Sequence, residues 1–203
     1  MKILEMRPAP NPRRVRIFLA EKGIEVPFEQ IDITKGEHKL AGFSKLNPMQ
    51  RVPVLLLDDG TAIAESVAIC RYFECLHPEP ALFGSTPVEK ATVEMWNRRM
   101  EHSFLFHVMQ VFRHLHPSMA EMEVPQVPAW AEANRPRVYE TLCFIDKELS
   151  TRLFIAGEAF SIADITALVA IDFMKPARLA RSPELTSLAR WHDAVSGRPS
   201  AKA

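Results

Sequence analysis

Residues 7–16, RPAPNPRRVR, contain a stiff loop and one amide and, at the start of a predicted helix, the three arginines Arg13, Arg14 and Arg16. Asn11 is a favoured helix N-cap, and Pro12 fits the first helical position, where its missing N–H costs nothing. The apolar spacing that follows predicts a helix over 12–22, ended by Gly23. Positively charged side chains are unfavourable near a helix N-terminus, because that end of the helix dipole is positive. Either these arginines pair with acidic groups on another element or a partner subunit, or this end of the helix holds an anion.

A second group of residues that could bind a ligand lies in NPMQRVPVLLLDDGTAIAES, residues 47–66. Pro53 stands directly before an apolar strand, so the backbone of Val52 could pair with an extended peptide ligand. Ser66 is a good N-cap, and a helix N-terminus binds anions. Ser66 could therefore hold a carboxylate while Glu65 holds an ammonium group. The alternative is that Ser66 only caps its helix and Glu65 is a solvated acid.

The elements that position these residues alternate between strand and helix before the chain becomes entirely helical. The order β-α-β-α-β-β-α is predicted from strands at 2–6, 27–33, 54–57 and 61–64 and helices at 12–22, 38–46 and 66–76. After a proline-rich stretch, we predict helices at 88–116 and 129–150, a buried helix after the capping box of Ser161 and Asp164, and shorter helices around Trp191. The sequence thus predicts an α/β domain over 1–79, a linker over 80–87 and an all-helical domain over 88–203.

Composition narrows the class of protein. The 203 residues are 47% hydrophobic, and 25 basic side chains balance 25 acidic ones, so we expect neither nucleic acid nor a membrane as partner. The start of the chain is too short and polar for a signal peptide, and three cysteines without a CxxC motif suit a reducing cytoplasm. We expect no metal, because the four histidines on or just after the predicted helix over 88–116 lack a ligand spacing; they are His102, His107, His114 and His116.

Three segments resemble cytosolic glutathione S-transferases, and the resemblance covers essentially the whole chain. They are PNPRRVRIFLAEKGI (10–24), NPMQRVPVLLLDDGTAIAES (47–66) and FIAGEAFSIADI (154–165). The resemblance implies a thioredoxin-like N-terminal domain that binds glutathione and an all-α domain that supplies most of the second substrate's pocket. It also implies a homodimer, with glutathione as co-substrate and a small hydrophobic electrophile or a disulfide as the other partner.

The resemblance also assigns residues to parts of glutathione. Val52 would pair through its backbone with the cysteinyl part, next to a cis Pro53. Glu65 and Ser66 would hold the γ-glutamyl ammonium and carboxylate groups.

The resemblance places Arg51, together with His38 or Lys39, near the glycyl carboxylate of glutathione. His38 and Lys39 could equally be ordinary surface residues. The candidates for the second-substrate pocket are Ala9, His102, Phe106 and Met109.

The thiol site departs from the common family patterns. Ala9 stands where many members carry a serine, Asn11 stands where some bacterial members carry a cysteine, and the only tyrosines are Tyr72 and Tyr139. The loop resembles the Pro-Asn loop of bacterial Nu-type members, in which an asparagine contacts the glutathione sulfur. Lowering a thiol pKa of ~8.5 by about two units requires ~2.7 kcal/mol. A charged hydrogen bond of ~1.5–3 kcal/mol and a helix dipole of ~0.3–1 kcal/mol could supply it. Asn11 either activates the thiol, caps its helix, or does both.

These features predict a glutathione S-transferase that stabilises the thiolate and transfers it to an electrophile in detoxification, or that reduces a disulfide or peroxide. The alternative is a glutathione transferase-like scaffold without catalysis that acts through protein contacts. The intact Val52-Pro53 and Glu65-Ser66 pairs favour the enzyme, whereas Ala9 favours the scaffold.

Overall fold

A computed structural model describes all 203 residues as two compact units. The first unit contains residues 1–82 together with 199–203, and the second contains residues 83–198. The predicted linker is divided between the units, and the last five residues group with the first. Residues 199–203 are held to the first unit by two hydrogen bonds. One runs from Arg13 Nη2 to the Ala201 carbonyl, at 3.1 Å, and the other joins the side chains of Ser200 and Glu21.

The first unit is a four-stranded mixed sheet with helices. Its elements are β1 (Lys2–Glu5), α1 (Pro10–Lys22), β2 (Phe28–Gln30), α2 (Ala41–Leu46), β3 (Val54–Leu56), β4 (Ala62–Ala64) and α3 (Ser66–Leu76). The strand order is β2-β1-β3-β4; β1 is parallel to β2 and antiparallel to β3, and β3 is antiparallel to β4. This order of elements and this sheet are thioredoxin-like, as predicted.

Two elements of this unit differ from their predicted bounds by more than two residues. The strand expected over 27–33 ends at Gln30, because the Asp32 side chain accepts from the N–H groups of Thr34 and Lys35 and caps a short 3₁₀ turn. The helix expected over 38–46 begins only at Ala41, after a second 3₁₀ turn at Glu37–Lys39.

The second unit is helical. Its helices are α4 (Pro87–Arg98), α5 (Phe106–Leu115), α6 (Pro128–Leu149), α7 (Ile162–Met174) and α8 (Thr186–Ser196). The helix predicted over 88–116 is divided by a π-helical segment, Arg99–Leu105. Thr141 Oγ1 of α6 donates to the Ser103 carbonyl at 2.8 Å, so a neighbouring helix supplies a partner to the altered hydrogen-bond ladder.

Helix α7 lies at the centre of the second unit, with every residue from Ile162 to Ile171 buried. Its N-terminus carries the predicted capping box. The Asp164 carboxylate is fully buried and accepts from the Ile155 and Ser161 N–H groups, the Ser161 hydroxyl and Trp191 Nε1. None of the helices is long and apolar enough to cross a membrane.

Candidate active site

The sheet register brings three of the predicted site segments of the first unit to the same end of the sheet. Val54 pairs with both Leu4 and Ala64, so the backbone just before β3 lies beside the end of β1 and the end of β4. The loop to α1 leaves from the end of β1, and Glu65 follows β4 directly. The start of α1, the Val52–Pro53 dipeptide and the start of α3 therefore meet at this end of the sheet.

The loop before β3 presents the Val52 backbone. The Val52–Pro53 bond is cis, as the resemblance implies. Buried Asn47 fixes the loop, because its Nδ2 donates to the Arg51 carbonyl at 2.8 Å and its Oδ1 accepts from the Met49 N–H at 3.1 Å. Val52 itself lies outside β3 and makes no backbone–backbone hydrogen bond. Its peptide groups suit the addition of an extended ligand.

The start of α3 differs from the prediction that Ser66 is the N-cap. Glu65 holds the cap position, with an exposed side chain and a φ of 69°, and Ser66 is the first helical residue. The Ser66 hydroxyl instead accepts a hydrogen bond from Arg14 Nη1 at 2.9 Å, and both side chains are buried. An arginine of α1 thus places a positive charge beside the N-terminus of α3, which strengthens an anion site there.

The three basic candidates for the other end of glutathione differ in their environment. Lys39 and Arg51 are exposed, whereas His38 is 5% exposed and its Nδ1 is buried without a hydrogen-bond partner. Burial, together with the charges of Lys39 and Arg51, lowers the pKa of His38, so its imidazole is neutral at pH 7. Lys39 and Arg51 therefore carry the positive charge, and His38 offers a polar nitrogen.

Asn11 does not cap helix α1, contrary to the prediction. The cap is Ala9, which makes no side-chain hydrogen bond, and Asn11 is the second helical residue. Pro10 and Pro12 have no N–H, and the Arg13 N–H donates to the Ala9 carbonyl at 3.2 Å. The backbone N–H of Asn11 has no backbone partner, so Asn11 supplies the unpaired donor of the first turn as well as a side-chain amide.

The arginines of α1 are explained mainly by contacts within the first unit. Arg16 Nη1 forms an ion pair with the fully buried Glu5 of β1, and Arg16 Nη2 donates to the Arg7 carbonyl at 2.8 Å. Gln30 Nε2 donates to the same carboxylate at 2.8 Å. The charge of Arg16 is therefore balanced by the Glu5 carboxylate, so Arg16 does not add to the positive electrostatic potential at the start of α1. Sequence reasoning missed Glu5 and Arg14, because a charged residue within a strand or helix gives no local sign of its partner.

The candidates for the second-substrate pocket lie on both units. Ala9 caps α1; His102 lies in the π-helical segment; Phe106 and Met109 lie on α5. The side chains of His102 and Phe106 are exposed, and Met109 is half-buried. The assignment of these four residues to one pocket stays a prediction.

Comparison with known proteins extends over both units. The family model of the "Glutathione S-transferase, N-terminal domain" matches residues 9–76, and that of the "Glutathione S-transferase, C-terminal domain" matches residues 97–199. The chain is similar to glutathione S-transferase 2 of Saccharomyces cerevisiae, with 38% identity over 100% of this chain and 88% of the relative.

Solved structures give the same result. The crystal structure of Gtt2 from S. cerevisiae has a TM-score of 0.95 and 38% identity, covering 100% of this chain and 99% of that one. A glutathione S-transferase domain-containing protein from Marinobacter aquaeolei has a TM-score of 0.95 and 37% identity, covering 98% and 99%. With a thioredoxin-like unit, a helical unit and matches of this extent, the chain belongs to the glutathione S-transferase superfamily and is a glutathione-dependent transferase.

Proposed function

We propose that this transferase activates the glutathione thiol through Asn11 at the start of α1, without a serine, tyrosine or cysteine. The observation that carries the proposal is that the first turn of α1 has one backbone N–H without a partner, and that it belongs to the residue with the side-chain amide. Both donors suit a thiolate, and neither is committed to capping the helix. The sulfur would receive two hydrogen bonds at the positive end of a helix dipole.

The energies are sufficient for this role. The two donors and the dipole together exceed the ~2.7 kcal/mol that a shift of about two pKa units requires, if each charged hydrogen bond contributes ~1.5 kcal/mol or more. The first turn of α1 contains no acidic residue that would oppose a thiolate.

The remaining parts of glutathione have matching groups on the first unit. The Val52 peptide groups would pair with the cysteinyl part, and the start of α3 would hold the γ-glutamyl end through Ser66 and Glu65. Lys39 and Arg51 would attract the glycyl carboxylate, with the unpartnered Nδ1 of His38 beside them. Arg14 positions the Ser66 hydroxyl for this task.

Replacement of Asn11 tests the thiolate role. Asn11→Ala keeps the backbone N–H but removes the amide, so we expect the pKa of enzyme-bound glutathione to rise by about one unit, equivalent to ~1.4 kcal/mol. The stability of the protein should change by less than ~0.5 kcal/mol, because the amide does not cap the helix. The thiolate absorbance of the saturated complex, titrated with pH, gives the pKa, and thermal unfolding gives the stability.

Asn11→Asp is the matched control, since it keeps the shape and reverses the electrostatics. A carboxylate in the first turn should stabilise α1 by ~0.3–1 kcal/mol, yet raise the thiol pKa further than alanine does. Stability and thiolate formation would thus move in opposite directions. If both variants titrate like the parent protein, Asn11 has no part in activation.

We also propose that the protein is a homodimer that conjugates glutathione to a small hydrophobic electrophile in the cytoplasm. Apolar side chains exposed on the second unit support an interface with a second copy; among them are Met95 of α4 and Tyr139 and Phe144 of α6. Light scattering on the purified protein should give twice the mass of the chain. A monomeric mass over the micromolar range would contradict the proposal.

A further inference from the structure

The loop over residues 7–12 has only three backbone N–H groups, because every second residue in it is a proline. The Arg7 N–H donates to Gln30 Oε1 at 2.9 Å. The Ala9 N–H donates to the carbonyl three residues before it, also at 2.9 Å, and closes a turn. The Asn11 N–H has no backbone partner. The loop therefore leaves one main-chain donor open, at the residue that also carries the side-chain amide.

A closed set of hydrogen bonds holds both polar groups of the Arg7 main chain. The Arg7 carbonyl accepts from Arg16 Nη2 at 2.8 Å, and the Arg7 N–H is bonded to Gln30. Arg16 Nη1 pairs with Glu5 Oε2, and Gln30 Nε2 donates to Glu5 Oε1 at 2.8 Å. The fully buried carboxylate on β1 thus orients two side chains, and each of these holds one polar group of Arg7.

Position 30 requires an amide to close this set of bonds. The partners of Gln30 are a carboxylate, which only accepts, and a backbone N–H, which only donates. These two partners also fix the orientation of the amide. A glutamate would place a second carboxylate against Glu5, and a methionine of similar length would bond to neither partner. The chemistry of Gln30 is therefore specific, although its side chain is exposed on the edge strand β2.

The position of Arg7 bears on whether the Asn11 N–H stays open. The Arg7 carbonyl lies four residues before Asn11, so it is the acceptor that this N–H would take if α1 began one turn earlier. Arg16 binds that carbonyl instead, and no hydrogen bond joins it to Asn11. Holding Arg7 between Gln30 and Arg16 thus favours a helix that starts at Pro10 with the Asn11 N–H available.

We propose that Gln30 is a positioning residue for the thiol site: it fixes Arg7, and through Arg7 the loop that directs the Asn11 N–H and amide toward the glutathione sulfur. The inference rests on the proposed role of Asn11. Gln30 acts through Arg7 and not on glutathione itself. Its contribution is that the two donors are oriented before the sulfur arrives, so less ordering is needed when the thiolate binds.

Gln30→Met tests this role through the pKa of enzyme-bound glutathione, titrated by thiolate absorbance. We expect the pKa to rise by about 0.5–1 unit, which is a three- to tenfold smaller acid dissociation constant. The affinity for S-methylglutathione, which has no thiol to ionise, should stay within about twofold, because the other groups of the tripeptide bind elsewhere on the first unit. Arg16 still pairs with Glu5, so the thermal midpoint should stay within about 8 °C of the parent value.

Glu29→Met is the matched control, since it removes the neighbouring side chain of β2, which pairs with Lys2 and not with the loop. It should change the thiol pKa by less than about 0.2 unit. Equal shifts in Gln30→Met and Glu29→Met would overturn the positioning role. A lower thermal midpoint of Gln30→Met with the parent thiol pKa would do so too, because it would leave Gln30 a structural role only.

A double variant with Asn11→Ala separates this inference from the role of Asn11. Its pKa shift should be smaller than the sum of the two single shifts, because Gln30 acts partly through the amide that alanine removes. Fully additive shifts would overturn the inference. If Asn11→Ala raises the pKa and Gln30→Met does not, activation by Asn11 stands and the positioning role of Gln30 is wrong. If neither variant raises it, both are wrong.

Discussion

Replacing Asp164 with alanine is expected to lower the free energy of unfolding by about 4 kcal/mol or more. The carboxylate is fully buried and accepts from four donors, which are the Ile155 and Ser161 N–H groups, the Ser161 hydroxyl and Trp191 Nε1. Alanine would leave these donors without an acceptor in the core of the second unit. Denaturant unfolding at pH 7 measures the loss, and the glutathione affinity of the folded fraction should stay within about twofold.

Asp164→Asn separates the charge of this side chain from its hydrogen bonds. Burial raises the pKa of Asp164 to about 6, even though the four donors act in the opposite direction. A pKa raised in the folded state means that the folded protein binds the proton more tightly than the unfolded chain. The contribution of this proton to stability is therefore full below about pH 4, and it is lost as the pH rises through about 6.

The parent protein should then gain up to about 3 kcal/mol from this group between about pH 6 and pH 4, a gain that Asp164→Asn lacks. The stability of the parent protein relative to Asp164→Asn should rise by that amount as the pH falls. All other groups titrate alike in both, so their contributions cancel. Parallel stability curves would show that Asp164 has no raised pKa.

Replacing Arg16 with methionine is the second substitution with a large expected effect, a loss of about 3–5 kcal/mol. Glu5 is fully buried and Arg16 is 6% exposed, so methionine would leave a carboxylate in the core with only Gln30 as its remaining side-chain donor. Unfolding at pH 7 measures the loss.

The double variant Glu5→Gln with Arg16→Met distinguishes an uncompensated charge from lost packing. It should regain most of the lost stability, because no buried charge is left unpaired. Arg7→Met, which removes an exposed arginine nearby, should change stability by less than about 0.5 kcal/mol. A double variant as unstable as Arg16→Met would assign the loss to packing.

Local chemistry was enough to predict the two-part organisation of the chain, most of its helices and the capping box at Ser161. These features depend on residues within one or two turns of each other, so periodicity and capping residues identify them. The strand pair before α3 was predicted for the same reason, since an Asp-Asp-Gly turn joins two apolar runs at 54–64. The resemblance, not local chemistry, supplied the assignments of Val52 and Glu65 to glutathione.

Tertiary structure decided which partner each polar side chain has. Asn11 and Ser66 are both good N-caps by type, yet the caps are Ala9 and Glu65, because the entry of each chain segment from the sheet sets where the helix starts. Ser66 instead meets Arg14, 52 residues away in the chain. Arg16 and Glu5 likewise meet only because α1 packs on the sheet, so neither residue's neighbours in the sequence predict the pair. Sequence alone thus determined the elements and the candidate residues. The fold determined which of those residues bond to each other and which are left for a ligand. The reason is that side-chain pairing between elements depends on distances that no local pattern encodes.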